Sequence, residues 1–426
     1  MLDLKYVLAY PDEVRQNALN RNVRVNLDKI LALAEERKSG IQRADGLRHE
    51  QKQTARAMGP ASEQERQALI CRGSEIKSEL TSLQTHLQHI EKDLFEELKR
   101  LPNRTHPDSP VGRSEDESTE IRRVGAPRRF DFTPKDHLEL GEALGLIDLA
   151  GGAKVAARNF YFLKNEAVLL ELSLARFAID RLMSRGYVPT ITPDVARLDV
   201  LDGVGFSPRG QESQIFTLEG TDLGLIATAE ITLGGLLADE ILTAGELPLK
   251  FVGLSHCFRR EAGAHGRASR GLYRVHQFTK VEMFAFTAPE DSPAIHDEML
   301  AVEEELYQAL GLPYRVLDIC TGDLGGAAYR KFDLEAWMPG RGEAGEWGEV
   351  TSTSNCTDYQ SRRLGIRFRR TAKGKPELVH TLNGTAIAVS RTLLALLENY
   401  QERDGSITIP EVLQPYLGLS RIEPRG

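Results

Sequence analysis

The densest pattern of potential chemistry in this chain is Phe258-Arg259-Arg260-Glu261, followed by Val275-His276-Gln277-Phe278-Thr279-Lys280-Val281-Glu282-Met283. Arg259 and Glu261 stand two residues apart, so on a strand they share a face. A guanidinium beside a carboxylate suits a ligand with both a phosphate and an amine or amide edge, because arginine grips phosphoryl oxygens through its planar fork. Thr279 to Phe284 alternates in β-formers, and the intervening Ala262–Gly271 carries three glycines and two arginines. The segment reads as two strands joined by a mobile basic loop of the kind that closes over an anion. Trp347-Gly348-Glu349-Val350-Thr351-Ser352 adds a carboxylate and two hydroxyls in a turn, hard oxygens of the type Mg²⁺ takes. Thr228-Ala229-Glu230 sets a hydroxyl and a carboxylate on one side of an expected strand. A surface hairpin with scattered salt bridges is the bland alternative, and spacing alone leaves both readings open.

The elements that must position these groups fall into two parts. From about Leu27 to Leu101 the chain is helical in pattern, and Ile76, Leu80, Leu83, Leu87, Ile90 and Leu94 form a heptad seam. A weaker periodic stretch runs from Leu27 to Met58. Gly59-Pro60 ends it, and Ser62 with Glu65 forms a capping box for the next helix. Two helices of roughly 35 residues, folded back as an antiparallel coiled coil, give an arm about 50 Å long. Its polar faces carry Arg37, Lys38, Arg43, Arg48, Lys52, Arg56, Arg66, Arg72 and Lys77. A Pro-rich linker through Pro107, Pro110 and Gly112 leads into the second part. There, helices are expected over Asp136–Ile147, Ala167–Arg185 and Ile387–Gln401. Strands are expected over Tyr187–Ile191, Gln214–Leu218, Lys250–Leu254, Val275–Phe286 and Val379–Leu382. This order fits an α+β fold, a mainly antiparallel sheet flanked by helices, and neither a Walker-A nor a GxGxxG fingerprint is present.

Composition narrows the class. The chain has 426 residues, 27% charged and 41% hydrophobic, as in ordinary globular proteins of more than one domain. No signal-peptide pattern and no apolar run of about 18 residues occurs, so a cytoplasmic protein without a membrane partner is expected. Cys71, Cys257, Cys320 and Cys356 are too scattered for a CxxC metal site and are expected as buried thiols. A net charge of −8 argues against non-specific coating of nucleic acid, yet a local basic face suffices for an RNA partner.

Arg259-x-Glu261, Arg270-Gly271-Leu272-Tyr273-Arg274 and Gln277-Phe278-x-Lys280-Val281-Glu282-Met283 resemble motif 2 of class II aminoacyl-tRNA synthetases, in the form used by seryl-tRNA synthetases. Further matches occur in order: Met1–Lys5, Asp136–Glu142, Thr228–Glu230, Cys320–Asp323, Ser354–Cys356 and Leu382–Gly384. The resemblance implies an N-terminal tRNA-binding domain over 1–110, its helical hairpin at about 27–101, and a class II catalytic domain over 111–426. It implies ATP-dependent activation of L-serine and transfer to the 3′ end of tRNA(Ser), and leaves open a selenocysteine tRNA as well. Arg259 would bridge the serine carboxylate and the α-phosphate, Glu261 accept from the adenine amino group, and Phe278 stack on the base. Arg391 would cover the other adenine face and reach the γ-phosphate; Arg260, Val275, Val350 and Thr351 would complete the ATP site. Glu349 and Ser352 would face Mg²⁺. Thr228 and Glu230 would hold the serine ammonium, Glu282 read its hydroxyl, and Asn383 with Thr385 close the pocket. A homodimer is implied through the strand Tyr187–Pro193.

The chain departs from the family pattern at Ala227, Arg260, Thr353, Ala386 and Ser390. Glycines are usual at the last two positions, so their side chains are expected to crowd the adenine pocket or shift the following helix. The sequence is also compatible with two alternatives. One is a serine-activating paralogue with a non-tRNA acceptor, and the other a catalytically weak tRNA-binding regulator.

Overall fold

The computed structural model describes residues 1–206, 214–261 and 271–425, and divides into two compact units, Met1–Arg104 and Thr105–Gly426. The first unit holds helices α1 (Leu4–Ala9), α2 (Pro11–Asn20), α3 (Leu27–Ala57) and α4 (Glu63–Lys99). α3 and α4 form the expected hairpin. Leu27, Ile30, Ala34, Ala44 and Leu47 of α3 are buried, as are Ile76, Ile90 and Leu94 of the α4 heptad seam. Gly40 of α3 faces Leu87 of α4: a Cβ there would sit 2.7 Å from Leu87 Cδ2, so the leucine would have to shift to admit one. The turn is closed as the sequence predicts: Glu65 accepts from the Ser62 N–H at 2.8 Å and from Ser62 Oγ at 2.6 Å. Cys71 on this hairpin is exposed, unlike the other three thiols, because it lies off the seam.

In the second unit, eight strands among the described residues form the main sheet. They are β1 (Thr119–Val124), β2 (Val188–Ile191), β3 (Leu249–Phe258), β4 (Gln277–Thr287), β5 (Tyr314–Asp318), β6 (Arg330–Met338), β7 (Glu346–Thr357) and β8 (His380–Ala388). The spatial order is β1-β5-β6-β7-β8-β4-β3-β2, antiparallel except for the outer pair β3–β2. Alternation along β4 assigns the faces. Val281, Met283 and Ala285 enter the large core with α5 (Glu166–Met183), α7 (Ser292–Ala309) and α9 (Val389–Asn399). Phe284 and Phe286 enter a second core with Ala229, Ile231 and Leu233 of α6 (Ala229–Gly235) and Leu364 of α8 (Tyr359–Leu364). Glu282 therefore shares the second face.

Several expected elements shift. Gln214–Leu218 makes only an isolated bridge, Thr217 to Gly224. Thr228-Ala229-Glu230 is a helix start rather than a strand, with Thr228 Oγ1 capping the Glu230 N–H at 3.2 Å. Glu349–Ser352 lies inside β7, not in a turn, beside a bulge against β6. β3 stops at Phe258, so Arg259 and Glu261 lie past its end, and Glu261 has a left-handed φ of 49°. The expected basic loop 262–270 falls outside the described residues. The last helix starts at Val389, because Ile387 and Ala388 still pair with β4.

Candidate active site

A cleft of about 450 Å³ opens where β3, β4, β7 and β8 meet the start of α9. Arg259, Glu261, Val275, Phe278, Glu349, Val350, Thr351, Thr385 and Arg391 all line it, as do Tyr273, Arg274, Lys280 and Ser390. Each wall has a local cause. Arg259 lies just beyond β3, its backbone N–H donating to His276 O at 3.0 Å and its Nε to Ala227 O at 3.4 Å. Its guanidinium sits 5.3 Å from the centre of the Phe278 ring. Glu261 accepts from Arg274 at 2.5 Å.

Arg391 occupies the first turn of α9, where the helix dipole opposes a cation. Glu349 offsets that: Arg391 donates to Glu349 O at 2.9 Å and lies 3.1 Å from its carboxylate. The Arg391 guanidinium also lies over Tyr273, 4.7 Å from the ring centre, and donates to Tyr273 O. Burial works against the charge of Glu349, but Arg391 and Lys331 outweigh it and hold this carboxyl below its usual range.

Beside the cleft lies a polar cluster on the second face of the sheet. Thr385 and Glu282 are register partners across β8 and β4, joined by a 3.2 Å hydrogen bond. Lys280 lies 2.6 Å from Glu282 and donates to Thr385 at 3.4 Å. Asn383 donates to Glu230 Oε1 at 3.0 Å. Burial, then the nearby Glu282, push Glu230 up to about 7. Thr228, Glu230, Glu282 and Asn383 are thus brought together just behind the cleft lining. Arg260 and Ser352 are not part of that lining; the Arg260 backbone N–H bonds Gln214 O at 2.9 Å. Of the two unusual motif positions, Ala386 sits at the β8 bulge and packs in the large core, so only Ser390 reaches the cleft. Thr353 fits its place: its hydroxyl donates to Asn383 O at 3.0 Å.

Among the described residues, no three His, Cys, Asp or Glu side chains converge as a protein-only metal site. Glu349 and Ser352 have a further neighbour, Asp333, which pairs with Ser352 across β6 and β7. Asp333 Oδ1 is buried without a hydrogen-bond partner. Burial raises this carboxyl although Lys331, 3.4 Å away, draws it down. Hard oxygens from Glu349, Ser352 and Asp333 fit a cation that keeps waters and shares phosphate oxygens. Asp333, Lys280 and Gln360, whose Nε2 donates to Glu230 Oε1 at 2.7 Å, are not singled out by the sequence. Lys280 had a signal, two residues before Glu282 on one strand. Gln360 had none.

Half-buried Arg259 and Arg391 wall this cleft on a mainly antiparallel sheet, and the domain around it matches the class II aminoacyl-tRNA synthetases, ATP-using ligases. Residues 216–400 match the model of the class II core domain (G, H, P, S and T), and residues 1–105 that of the seryl-tRNA synthetase N-terminal domain. The serine–tRNA ligase of Rubrobacter xylanophilus is 57% identical, over 100% of this chain and 99% of its own. The crystal structure of seryl-tRNA synthetase from Pyrococcus horikoshii complexed with ATP is 41% identical, with a TM-score of 0.94 over 100% of both chains. The cytoplasmic serine–tRNA ligase of Naegleria fowleri in complex with AMP is 34% identical, with a TM-score of 0.89 over 100% of this chain and 99% of its own. The chain belongs to the seryl-tRNA synthetase family.

Proposed function

We propose that this enzyme condenses L-serine with ATP to seryl-adenylate and passes the seryl group to a ribose hydroxyl at the 3′ end of tRNA(Ser). The observation that carries the reading is the continuity of an arginine-walled cleft with a cluster of buried carboxylates at Thr385 and Lys280. Activation is an in-line attack of the serine carboxylate on the α-phosphate, with pyrophosphate leaving. It needs charge neutralisation and alignment rather than a protein nucleophile. Arg259 bridges the carboxylate and α-phosphate, which brings the reacting atoms together. Phe278 and Arg391 bracket the adenine, Glu261 accepts from its amino group, and Val275, Val350 and Thr351 fill in around the nucleotide. Arg391 extends to the γ-phosphate, and Arg260 supports the phosphates from outside the cleft lining. Glu230 with Thr228 takes the ammonium, and Glu282 reads the hydroxyl, with Asn383 and Thr385 closing the pocket. Alanine would leave the hydroxyl reader unpaired, a costly loss in a buried site. Glu349 and Ser352, with Asp333, would hold Mg²⁺, which supplies neutralisation of phosphate charge.

The cations near the hairpin turn, Lys52, Arg56, Arg66 and Lys77, support a tRNA partner, and we assign them to the shape of the tRNA rather than its sequence. A selenocysteine tRNA is a second acceptor to test. A homodimer is supported by the sheet edge: β2 exposes Val188 at 53% and Ile191 at 84%, and α5 exposes Val168, Leu169 and Leu172. Among the described residues no helix is long and apolar enough to cross a membrane; we place the enzyme in the cytoplasm, where charged tRNA is used. The test is amino-acid-dependent ATP–pyrophosphate exchange with serine, alanine and threonine. Exchange specific to serine is expected; equal exchange with alanine would overturn the assignment of Glu282.

A further inference from the structure

We infer that Gln360, backed by Thr381, is a positioning residue that sets serine affinity by fixing which oxygen of Glu230 the substrate meets. This rests on the reading that Glu230 takes the serine ammonium. Gln360 lies on α8, fully buried and outside the cleft. Its Nε2 donates to Glu230 Oε1 at 2.7 Å and to Val204 O at 3.1 Å. Its Oε1 accepts from Thr381 Oγ1 at 2.7 Å. A carboxylate and a carbonyl can only accept, so the amide nitrogen must face them and the amide oxygen must face the hydroxyl. Both amide N–H groups are thereby used, and the side chain has one orientation.

Asn383 donates to the same Glu230 Oε1, so two donors converge there, while Oε2 has no hydrogen-bond partner among the described residues. An anion pinned through one oxygen keeps the other for an incoming ammonium. The charged groups around Glu230 are Glu282 and Lys280 on β4 and Arg259 past β3. Glu282 disfavours the anion, and the Gln360 hydrogen bond favours it. Without Gln360 the anion is harder to keep, so serine binding fails at a higher pH than in the wild type.

The test uses full-length Gln360→Met, Thr381→Val, Thr381→Ser and Glu230→Gln. Serine and ATP KM values are measured by pyrophosphate exchange from about pH 6 to 9, which brackets the Glu230 transition. Gln360→Met should raise serine KM roughly 10- to 100-fold, the worth of a hydrogen bond to a charged group. ATP KM should stay unchanged, and the pH below which serine KM climbs should move up. Thr381→Val should act in the same direction more weakly, and Thr381→Ser should restore wild-type behaviour. If Gln360→Met does not fold, the threonine pair, checked by melting temperature, carries the test. A Glu230→Gln variant with wild-type serine KM would sink the underlying assignment of Glu230. A large effect there, with folded Gln360→Met unchanged or raising both KM values equally, would overturn the positioning role alone.

Discussion

The hairpin and the cleft use charge in opposite ways. Along the hairpin, cations and anions pair in water: Arg37 with Glu91 at 2.9 Å, Arg43 with Glu79 at 3.5 Å, Arg72 with Glu50 at 2.7 Å. Lys38 and Arg48 pair within α3. In and behind the cleft the charges are half-buried or buried, and their ionisation shifts: Arg391 and Lys331 hold Glu349 down, while burial pushes Glu230 up. Exposed pairs contribute little each, whereas buried charges are costly and need close partners, such as Lys280 for Glu282 and Arg391 for Glu349, to offset that cost. The comparison also separates the basic residues of the hairpin into two sets. Lys52, Arg56, Arg66 and Lys77, near the turn, make no ion pair among the described residues, while Arg37, Lys38, Arg43, Arg48 and Arg72 are already engaged. The first set is free for phosphate.

The sharpest way to break this contrast is Arg391→Ala. It removes a cleft cation and leaves Glu349 without its partner, so pyrophosphate exchange should fall about 10²- to 10³-fold with folding intact by circular dichroism. Next comes Gly384→Ala. A Cβ there would sit 3.0 Å from Glu303 Oε1, Met283 Cε and Thr353 Oγ1, behind Asn383 and Thr385. Overpacking of this kind should cost about 1–3 kcal/mol in urea unfolding.

Glu303 supplies a smaller, pH-dependent effect. It is fully buried on α7; Thr351 donates to one oxygen at 2.8 Å and the other has no partner. Burial raises its pKa well above the ordinary carboxyl value. The folded state thus keeps a proton that the unfolded chain loses above its own pKa, so this group's contribution falls as pH rises through that window. Glu303→Gln should flatten the decline of melting temperature from about pH 5 to 8 relative to wild type; an unchanged slope would show that Glu303 is charged when folded. Smallest should be Arg37→Gln on the hairpin shaft, at most about 1 kcal/mol, with charging unaffected.

What the sequence made legible follows from local chemistry. The hairpin was readable because a heptad seam and a capping box need only neighbours a few residues apart. The cleft residues were readable through family resemblance, since Arg259, Glu349 and Arg391 lie on three separate elements that no spacing rule joins. Thr228 was misplaced on a strand because Thr-Ala-Glu suits a helix cap equally well, and the core packing of Ala229 and Ile231 decides it. At Ala386 the sequence points to crowding of the adenine pocket or a shift of the following helix because a bulge in β8 is invisible in sequence; Ala386 instead packs in the core beside that bulge. Gln360 and Asp333 act through tertiary neighbours alone, and buried polar residues in a strand or short helix carry no periodic signature.

The central claim is that the hairpin turn recognises tRNA while the cleft performs activation independently. The direct measurement compares pyrophosphate exchange and tRNA(Ser) charging for a variant with Lys52, Arg56, Arg66 and Lys77 all changed to Glu. Wild-type exchange, with a raised KM for tRNA and a shallower dependence of that KM on salt, is predicted. Wild-type charging kinetics, or loss of exchange together with charging, would contradict it.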